Sequence, residues 1–379
     1  MNILFISNDP KIFEDGSSVR LRMCAYAEEV AKTGGTLHIL SRAKKRMELA
    51  DGPLVLHGIG GNKLSALLAM RSRARKIVRA EEIAVVSAQD PFEHGLIAAH
   101  AVRGTSAKLH LQLHTDAFSP WFVRSGMARS PRVRVPFLNR IRQRMADRTL
   151  PQAAGVRVVS QRIKDSLITR YGESIANVSV IPIQVDTTLP PRVALPDSAY
   201  PFTFITISRL EPEKRIEDIL YALSWIKDAY PAAGLMIAGD GSERGSLERL
   251  SRALGIADRV RFLGWRTDAR GLMQSAQAYI QASAYEGYGI TLVEAALARV
   301  PIITSDVGIV GEVLEGNDAV LAAPPGDANQ IMHNMRRMIE DPQARTGLSM
   351  RAEAAARAHL ATARNTPADI IADMTRLSV

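Results

Sequence analysis

Cysteine, aromatic side chains and long apolar runs are scarce in this sequence. Cys24 is the only cysteine among 379 residues, and aromatic residues make up 5% of the chain. An internal disulfide is therefore excluded, and a reducing compartment is favoured. No apolar run approaches the roughly 18 residues that span a bilayer, and the first residues lack the basic start and apolar length of a secretory signal. We expect a soluble, cytoplasmic protein in which Cys24 is a buried structural thiol on a helix.

Acidic residues are scarce in the first half of the chain. Residues 1–190 hold 28 Lys and Arg against 16 Asp and Glu, whereas residues 191–379 hold 20 against 23. Residues 124–148 contain one acid and eight arginines, at positions 124, 129, 132, 134, 140, 142, 144 and 148. Apolar residues recur among them at helical spacing, so this segment suits an anionic membrane surface or a phosphorylated acceptor. A solvated arginine-rich face is the alternative, and nucleic acid is not expected because no binding motif accompanies the charge.

Short apolar runs alternate with helical patterns along the chain, which is typical of parallel α/β sheets. Strands of the first half are predicted at residues 2–7, 37–40, 54–56, 84–87, 109–113 and 156–159, and helices at 20–31, 64–78 and 93–101. A stretch with several prolines and no periodicity follows at 187–200. Because 379 residues exceed one ordinary core, we expect two Rossmann-like domains, residues 1–186 and 201–360, joined by a linker at 187–200.

The most informative stretch runs from Glu286 to Glu294 and has the sequence Glu-Gly-Tyr-Gly-Ile-Thr-Leu-Val-Glu. It follows a predicted strand and indicates a glycine turn that opens a helix near Thr291. Such a turn directs backbone N–H groups and the positive end of a helix dipole at one point, which suits a phosphate. The two flanking carboxylates can accept hydrogen bonds from hydroxyls of a sugar nucleotide. The alternative is a capping box formed by Thr291 and Glu294, with the glycines serving only the turn.

Glu286 and Glu294 resemble the Glu-x7-Glu signature of the retaining, family-4 type glycosyltransferases with the GT-B fold. Further matches follow the order and spacing of that family: Ser208-Arg-Leu-Glu-Pro-Glu-Lys214, Gly239-Asp-Gly241, Arg261-Phe-Leu-Gly-Trp265 and Val300-Pro-Ile-Ile-Thr-Ser-Asp-Val-Gly308 with Glu312. The resemblance is strong over residues 202–325 and looser in the first half. It implies two Rossmann-like domains that face an interdomain cleft, with a C-terminal helix at 361–379 that packs back on the first domain.

The resemblance also implies a role for each matched residue. Arg209 and Lys214 would neutralise the donor diphosphate, while Glu286 would bind the sugar hydroxyls. His114 would touch the donor sugar, and Glu294 would hold the ribose. Backbone amides of one turn would help to seat the diphosphate, namely those of Gly287, Tyr288, Gly289, Ile290 and Thr291. The alternatives are a surface charge cluster of Arg209 with Glu211 and Glu213, and a histidine satisfied within a strand-end turn for His114.

Four further positions are weaker candidates for donor binding. Gly16 and Ser17 lie in the loop after the first strand, where the resemblance implies a glycine-containing loop beside donor and acceptor. An ordinary helix start capped by a serine is the alternative for this pair. Gly241 and Trp265 lie in turns that would line the nucleotide by resemblance, yet each turn taken alone is an ordinary connection between a strand and a helix.

The leading hypothesis is a retaining glycosyltransferase that moves a sugar from a nucleoside-diphosphate sugar to a glycan, lipid-linked or small-molecule hydroxyl. The sugar nucleotide is a co-substrate. Neither a cofactor nor a metal is expected, because Arg209 and Lys214 would supply the positive charge. A sugar-nucleotide epimerase or phosphorylase on the same fold, or a catalytically idle sugar-nucleotide-binding subunit, are the alternatives. Peripheral attachment to the inner face of a membrane through residues 124–148 would fit a lipid-linked acceptor.

Overall fold

The computed structural model describes residues 1–123, 137–196 and 200–378, which form two compact units. Within those ranges, the first unit contains residues 1–118, 137–184 and 364–378. The second unit contains residues 119–123, 185–196 and 200–363. Each unit is built on a mainly parallel sheet with helices, which confirms the predicted class of two parallel-sheet α/β domains.

The first unit contains an eight-stranded sheet in the order β3-β4-β2-β1-β5-β6-β7-β8. The strands are β1 (Asn2–Ile6), β2 (Leu37–Arg42), β3 (Met47–Asp51), β4 (Leu54–Ile59), β5 (Ile83–Ala88), β6 (Lys108–Leu113), β7 (Gly155–Val158) and β8 (Val178–Val180). Neighbouring strands are parallel, except that β3 pairs antiparallel with β4. Most side chains of β3 are exposed. It therefore lacks a buried apolar run, and the sequence analysis missed it, as it missed the short, half-buried β8.

The second unit contains a six-stranded, entirely parallel sheet in the order β11-β10-β9-β12-β13-β14. The strands are β9 (Phe202–Ile207), β10 (Ala233–Ala238), β11 (Val260–Gly264), β12 (Ala278–Gln281), β13 (Ile302–Ser305) and β14 (Leu321–Ala323). Strands β10, β12 and β13 are buried at every position. This is the pattern of a parallel sheet whose two faces are both covered.

Helices connect the strands of both units. In chain order they are α1 (Ser18–Ala31), α2 (Lys63–Ala80), α3 (Glu93–Val102), α4 (Pro120–Val123), α5 (Phe137–Thr149), α6 (Gln161–Tyr171), α7 (Ile216–Ile226), α8 (Arg244–Ala253), α9 (Ala269–Met273), α10 (Ile290–Leu297), α11 (Ala328–Glu340), α12 (Pro342–Thr362) and α13 (Pro367–Thr375). Cys24 lies on α1 as predicted. Its side chain is half-buried against the core rather than fully buried, because α1 lies at the surface of the sheet.

Both sheets reverse their strand order beside the first strand of the unit. Strand β1 lies between β2 and β5, and β9 lies between β10 and β12. In open parallel sheets, ligands bind outside the carboxyl ends of the strands at such a reversal. The fold therefore singles out the loops after β1 and β5 in the first unit. In the second unit it singles out the loops after β9 and β12, which carry Arg209 and Glu286.

The described residues of the predicted linker run along α9 of the second unit. The Val193 N–H donates to the Gly271 carbonyl at 3.1 Å, and the Ser275 hydroxyl donates to the Val193 carbonyl at 2.7 Å. A Cβ at Gly271 would lie 2.6 Å from the carbonyl oxygen of Pro191. Glycine at this position therefore permits the close approach, and residues 185–196 are fixed to the second unit.

Helix α13 packs into the first unit through apolar side chains and a buried aspartate. Ile370, Ile371 and Met374 join the core formed around β1 and β2. Asp373 accepts hydrogen bonds from His110 Nε2 at 3.2 Å and from the Ser179 hydroxyl at 2.6 Å. Helix α13 is thus attached to β6 and β8 through residues that lie 263 and 194 positions earlier in the sequence.

The protonation of this buried network follows from its partners. The Ser87 hydroxyl lies 2.9 Å from His110 Nδ1, so Nε2 carries the proton that reaches Asp373. Burial lowers the pKa of His110 although Asp373 opposes this, so the imidazole is neutral at pH 7. Burial opposes ionisation of Asp373, but its hydrogen bonds from His110 and Ser179 and the charge of Arg376 lower its pKa.

Asp373→Ala should lower the free energy of unfolding by about 2 kcal/mol or more, because the buried His110 N–H loses its acceptor. Melting temperature at pH 7 measures the effect. Since the pKa of Asp373 is lowered on folding, its contribution is present above the unfolded-state pKa of about 3.9 and is lost as the pH falls through the folded value. Asp165→Ala, on the exposed face of α6, is the control. Equal melting temperatures for the two variants would contradict this account.

Candidate functional site

Helix α10 begins at a glycine that supplies no side-chain cap. Gly289 occupies the N-cap position with φ 95° and ψ 58°, a left-handed conformation that glycine adopts at little cost. Because the helix starts at Ile290, Thr291 is not the N-cap, and the capping box with Glu294 is wrong. The Thr291 hydroxyl instead donates to Gln281 Oε1 at 3.0 Å. An uncapped helix end of this kind presents amides that can bind a phosphate.

An ion pair joins the two loops at the strand-order reversal of the second unit. Lys214 Nζ lies 2.6 Å from Glu286 Oε1, and both side chains are 15% exposed. The Ser283 hydroxyl donates to the same carboxylate oxygen at 2.7 Å. Lys214 ends the 3-10 helix Pro212–Lys214 after β9, whereas Glu286 follows β12. The fold thus brings together two predicted site residues that lie 72 positions apart in the chain.

Arg209 lies at the carboxyl end of β9 in the same loop as Lys214. Its guanidinium is 2.8 Å from Glu213 Oε1, and its side chain is 64% exposed. The Glu213 carbonyl accepts the Ala284 N–H at 2.8 Å, so this loop is also tied to the loop after β12. Of the charge cluster considered as the alternative for Arg209, the pair with Glu213 is present, whereas Glu211 accepts hydrogen bonds from Ser242. A largely exposed guanidinium gains little stability from its ion pair, so Arg209 can turn from Glu213 to an anionic ligand.

Glu294 lies on α10 and pairs with a cation that the sequence analysis did not single out. Its Oε1 is 3.3 Å from Arg270 Nε, and the Glu294 side chain is 17% exposed. Arg270 also contacts the Asp186 carboxylate at 3.1 Å and the Thr188 carbonyl at 2.8 Å. Burial raises the pKa of Glu294, Asp186 acts in the same direction, and Arg270 opposes them. Glu294 is thus a partly desolvated carboxylate beside the start of α10.

The buried side chain of Tyr288 holds the turn between Glu286 and α10 in place. The Tyr288 side chain is buried, and its hydroxyl lies 2.9 Å from His359 Nε2. Its carbonyl accepts the Ile309 N–H at 3.1 Å. Gly308 has φ 60°, and a Cβ there would lie 2.5 Å from the Tyr288 carbonyl oxygen. The Tyr288 side chain therefore fixes the turn, and only its backbone remains for the predicted role in donor binding.

Several buried polar atoms around these turns have no partner among the described residues, namely Thr206 Oγ1, Ser208 Oγ and Gln281 Nε2. Gln281 is 4% exposed, and its Oε1 already accepts the Tyr279 hydroxyl at 2.9 Å as well as that of Thr291. An unsatisfied buried polar group costs about 1–3 kcal/mol. Such groups persist where a ligand, an ion or water completes their hydrogen bonds.

Two weaker candidates lie in neighbouring turns of the second unit. Gly241 follows β10, and a Cβ there would lie 2.4 Å from the Leu210 carbonyl oxygen. Its glycine therefore allows the turn after β10 to approach the loop that carries Arg209. Trp265 follows β11 and is 72% exposed. A Gly239 N–H bond to the Gly264 carbonyl at 2.8 Å links the two turns.

The predicted site residues of the first unit lie at the carboxyl edge of its sheet. Ser17 caps α1 by accepting the Arg20 N–H at 3.1 Å and donates to the Lys11 carbonyl at 2.7 Å. Ser17 is therefore the N-cap of α1, and Gly16 precedes it with φ 73°. The donor contact of this pair stays a prediction.

His114 follows β6 and has an exposed side chain. The surrounding protein lowers its pKa, and the charges of Arg157 and Arg22 act in the same direction. The neutral form of His114 is therefore favoured at pH 7, which leaves one ring nitrogen as a donor and the other as an acceptor.

Half of the arginine-rich segment is described. The arginines at 124, 129, 132 and 134 lie outside the described residues, and the other four lie on α5. Arg142 pairs with Glu93 at 3.3 Å, whereas Arg140, Arg144 and Arg148 are exposed. No helix in the described ranges is long and apolar enough to cross a membrane. Among the same residues, no group of three or more His, Cys, Asp or Glu side chains could hold a metal ion.

Besides Arg270, the sequence analysis missed Arg215, which follows Lys214 directly. Arg215 is buried with φ 49°, and its guanidinium bonds the Asp218 carboxylate at 2.6 and 2.9 Å. The Trp121 ring lies 5.5 Å from the guanidinium carbon. A left-handed conformation is unusual for a non-glycine residue, so these contacts hold the backbone beside Lys214 in place. No pattern in the sequence signals such a conformation for an arginine.

Comparisons with known proteins relate both halves of this chain to glycosyltransferases. The family model described as Glycosyl transferases group 1 matches residues 195–357, and the model Glycosyltransferase Family 4 matches residues 22–189. Glycogen synthase of Mycobacterium tuberculosis is 28% identical over 187 residues, which is 49% of this chain and 45% of that protein. Lipopolysaccharide 1,6-galactosyltransferase of Escherichia coli is 32% identical over 155 residues, 39% of this chain and 42% of that protein. The chain thus spans about half the length of the curated relatives it matches.

Solved structures share the fold along the whole chain. Sucrose-phosphate synthase from Thermosynechococcus elongatus superimposes with a TM-score of 0.76 at 19% identity and covers 99% of this chain and 98% of its own. Anabaena HepE in complex with UDP-glucose has a TM-score of 0.68 at 20% identity and covers 100% and 98%. At these identities the likeness shows the fold alone. Because family models match both halves of the sequence and the fold agrees, this chain belongs to the group 1 glycosyltransferases of the GT-B fold.

Proposed function

We propose that this protein transfers a sugar from a nucleoside-diphosphate sugar to a hydroxyl group of a glycan, lipid-linked or small-molecule acceptor, with retention of anomeric configuration. The observation that carries the proposal is the Lys214–Glu286 ion pair, whose Glu286 lies three residues before the N-cap of α10. A cation, a carboxylate suited to hydroxyls and an uncapped helix end are thereby held together. A solved protein of the same fold is described in complex with UDP-glucose, which supports this class of donor.

The donor diphosphate would lie at the amino end of α10. The backbone from Gly287 to Thr291 would donate hydrogen bonds to it, aided by the helix dipole. Glu286 would accept hydrogen bonds from the sugar hydroxyls on one side. Glu294, eight residues later on the helix, would accept those of the ribose on the other side. Trp265 and the backbone near Gly241 would border the nucleotide.

Departure of the nucleoside diphosphate requires positive charge at the leaving oxygen atoms. Arg209 offers a bidentate fork and Lys214 a point charge. A cation about 4 Å from a phosphate has a Coulomb term of roughly 4 kcal/mol at an effective dielectric constant near 20. We propose that these two side chains act without a metal or another cofactor. The leaving diphosphate would help to deprotonate the acceptor hydroxyl, which then attacks from the same face of the sugar.

Three further assignments complete the proposal, and the first of them rests on the family resemblance. His114, Gly16 and Ser17 would contact the donor or acceptor from the first unit. The arginine-rich segment 124–148 would bind an anionic acceptor or membrane surface, and Arg140, Arg144 and Arg148 are exposed as this requires. A reducing compartment such as the cytoplasm is proposed because Cys24 is the only cysteine.

A thermal-shift screen of nucleoside-diphosphate sugars should identify the donor. A ligand that binds only the folded protein raises its stability by about 2.7 kcal/mol at a concentration of 100 Kd, so the correct donor should raise the melting temperature by several degrees. Release of nucleoside diphosphate should then require an added acceptor. Release without acceptor, or conversion of the donor to its epimer, would contradict transfer. Donor binding with no turnover over a broad acceptor panel would instead indicate a sugar-nucleotide-binding subunit.

Arg209→Ala should reduce kcat/KM about 30-fold or more, equivalent to about 2 kcal/mol of transition-state stabilisation. The melting temperature should change little, because the Arg209 side chain is 64% exposed. Arg249→Ala, an exposed arginine on α8 of the same unit, is the matched control and should keep full activity. Wild-type kinetics in the Arg209 variant would exclude its proposed role.

Glu294→Gln should weaken nucleoside-diphosphate binding by about tenfold, because the amide oxygen is a poorer acceptor for ribose hydroxyls than a carboxylate. The pKa of Glu294 is raised by burial. In the unchanged protein, affinity should therefore fall as the pH drops through that raised pKa, above the ordinary value of about 4.3. The variant should lack this dependence. Calorimetric titration between pH 4.5 and 8 with the nucleoside-diphosphate sugar that the screen identifies gives both readouts, because its diphosphate diester keeps the same charge over this range. An identical pH dependence in the two proteins would refute the assignment.

A further inference from the structure

Helix α2 of the first unit has a basic face that the proposed transferase site does not use. Its 18 residues, Lys63–Ala80, include six Lys and Arg and no acid. Ala66, Met70, Ala74, Ile77 and Val78 are buried against the unit. The opposite face carries a stripe of side chains, which we call the α2 stripe, formed by Leu64, Leu68, Arg71, Arg75, Lys76 and Arg79. Spacings of three and four residues place them along one side of a helix about 27 Å long.

The α2 stripe is apolar at its amino end and cationic along the rest. Leu64 is 71% exposed and Leu68 is 64% exposed, which places them among the most exposed large apolar side chains described. Arg71, Lys76 and Arg79 are exposed, while Arg75 is half-buried. Among the residues that the structure describes, none of these four cations forms an ion pair with an acid. On the same helix, Arg73 does pair, with Glu48 at 2.6 Å.

An open depression of about 400 Å³ runs beside the α2 stripe, between α2 and α3. It is lined by Leu68, the four cations of the stripe, Ser72 and His100. Arg71 lies 3.2 Å from His100 Nδ1, and Arg75 donates to the His100 carbonyl at 3.4 Å. Burial and the charges of Arg71, Arg75 and Arg103 lower the pKa of His100. The histidine is therefore neutral at pH 7, and the arginines make the electrostatic potential at its ring positive.

We propose that the α2 stripe is a docking surface for an anionic lipid bilayer, with Leu64 and Leu68 among the acyl chains and the four cations at the phosphate groups. Two observations favour a bilayer over a soluble anion. A soluble anion is bound by the cations alone and leaves the exposed leucines in water, whereas a bilayer accommodates both parts. The depression is also open along the helix, so that several headgroups can meet several cations at once. Each Lys or Arg near an anionic membrane surface contributes enough for about a fivefold gain in affinity.

The test is sedimentation with vesicles of phosphatidylcholine alone and of an equimolar mixture with phosphatidylglycerol. The full-length protein should bind the anionic vesicles, release them at high salt and ignore the neutral ones. Lys76→Gln combined with Arg79→Gln should weaken binding about 30-fold, because two contributions are lost. Arg249→Gln combined with Arg252→Gln removes the same charge from exposed positions of α8 and should change binding less than about threefold.

A second pair of variants tests the apolar end. Leu68→Gln should weaken binding to anionic vesicles severalfold, whereas Ile168→Gln, which replaces an exposed apolar residue on α6 of the same unit, should not. Equal losses in the two double variants would show that net charge alone drives adsorption and would overturn the proposal. It would equally be overturned if the stripe bound inorganic polyphosphate without binding vesicles. Melting temperatures confirm that each variant is folded. Donor-dependent activity is a separate measurement, so failure of the transferase proposal would not affect this result.

Discussion

The candidate site depends on one constraint, namely that the loops after β9 and β12 must meet. Neighbouring parallel strands place their carboxyl ends side by side, and the Lys214–Glu286 pair joins the two loops there at 2.6 Å. The Glu213 carbonyl adds a backbone bond from Ala284 at 2.8 Å. Removing either partner of a desolvated ion pair leaves the other without compensation. The pair therefore fixes the geometry of the site as well as supplying its charges.

Close backbone approaches make this arrangement feasible. Gly308 lies against the Tyr288 carbonyl and Gly241 against that of Leu210, at distances that exclude any Cβ. Gly289 adds a left-handed conformation that turns the chain into α10 without a side chain over the helix end. Gly308 and Gly241 permit close backbone packing, whereas Gly289 leaves the start of α10 without a covering side chain. The motif glycines thus serve both the turn geometry and the exposure of backbone amides, which were separate interpretations at the level of sequence.

The strands and site residues that could be predicted from the sequence are those that lie in short local patterns. Most strands of the first sheet were visible as apolar runs, while β3 was missed because its side chains are exposed and β8 because it has only three half-buried residues. Arg209, Lys214 and Glu286 were predicted because each lies in a short motif at a strand end. Arg270 was not, since its pairing with Glu294 arises only when α9 packs beside α10.

The capping box was wrong for a local reason: a serine or threonine pattern cannot show that the preceding glycine starts the helix. The left-handed Arg215 is held by Asp218 and Trp121, and such tertiary contacts leave no local pattern.

The charge balance of the second unit favours a ligand that carries both phosphates and hydroxyls. Each cation at the site is matched by a carboxylate: Arg209 by Glu213, Lys214 by Glu286 and Arg270 by Glu294. A simple anion would have to displace a carboxylate and leave it unpaired, at a cost that grows with burial. A sugar nucleotide avoids that cost, because its phosphates take over the cations while its hydroxyls donate to the displaced carboxylates. Since Lys214 and Glu286 are the least exposed of these groups around α10, discrimination against inorganic phosphate should arise mainly at that pair.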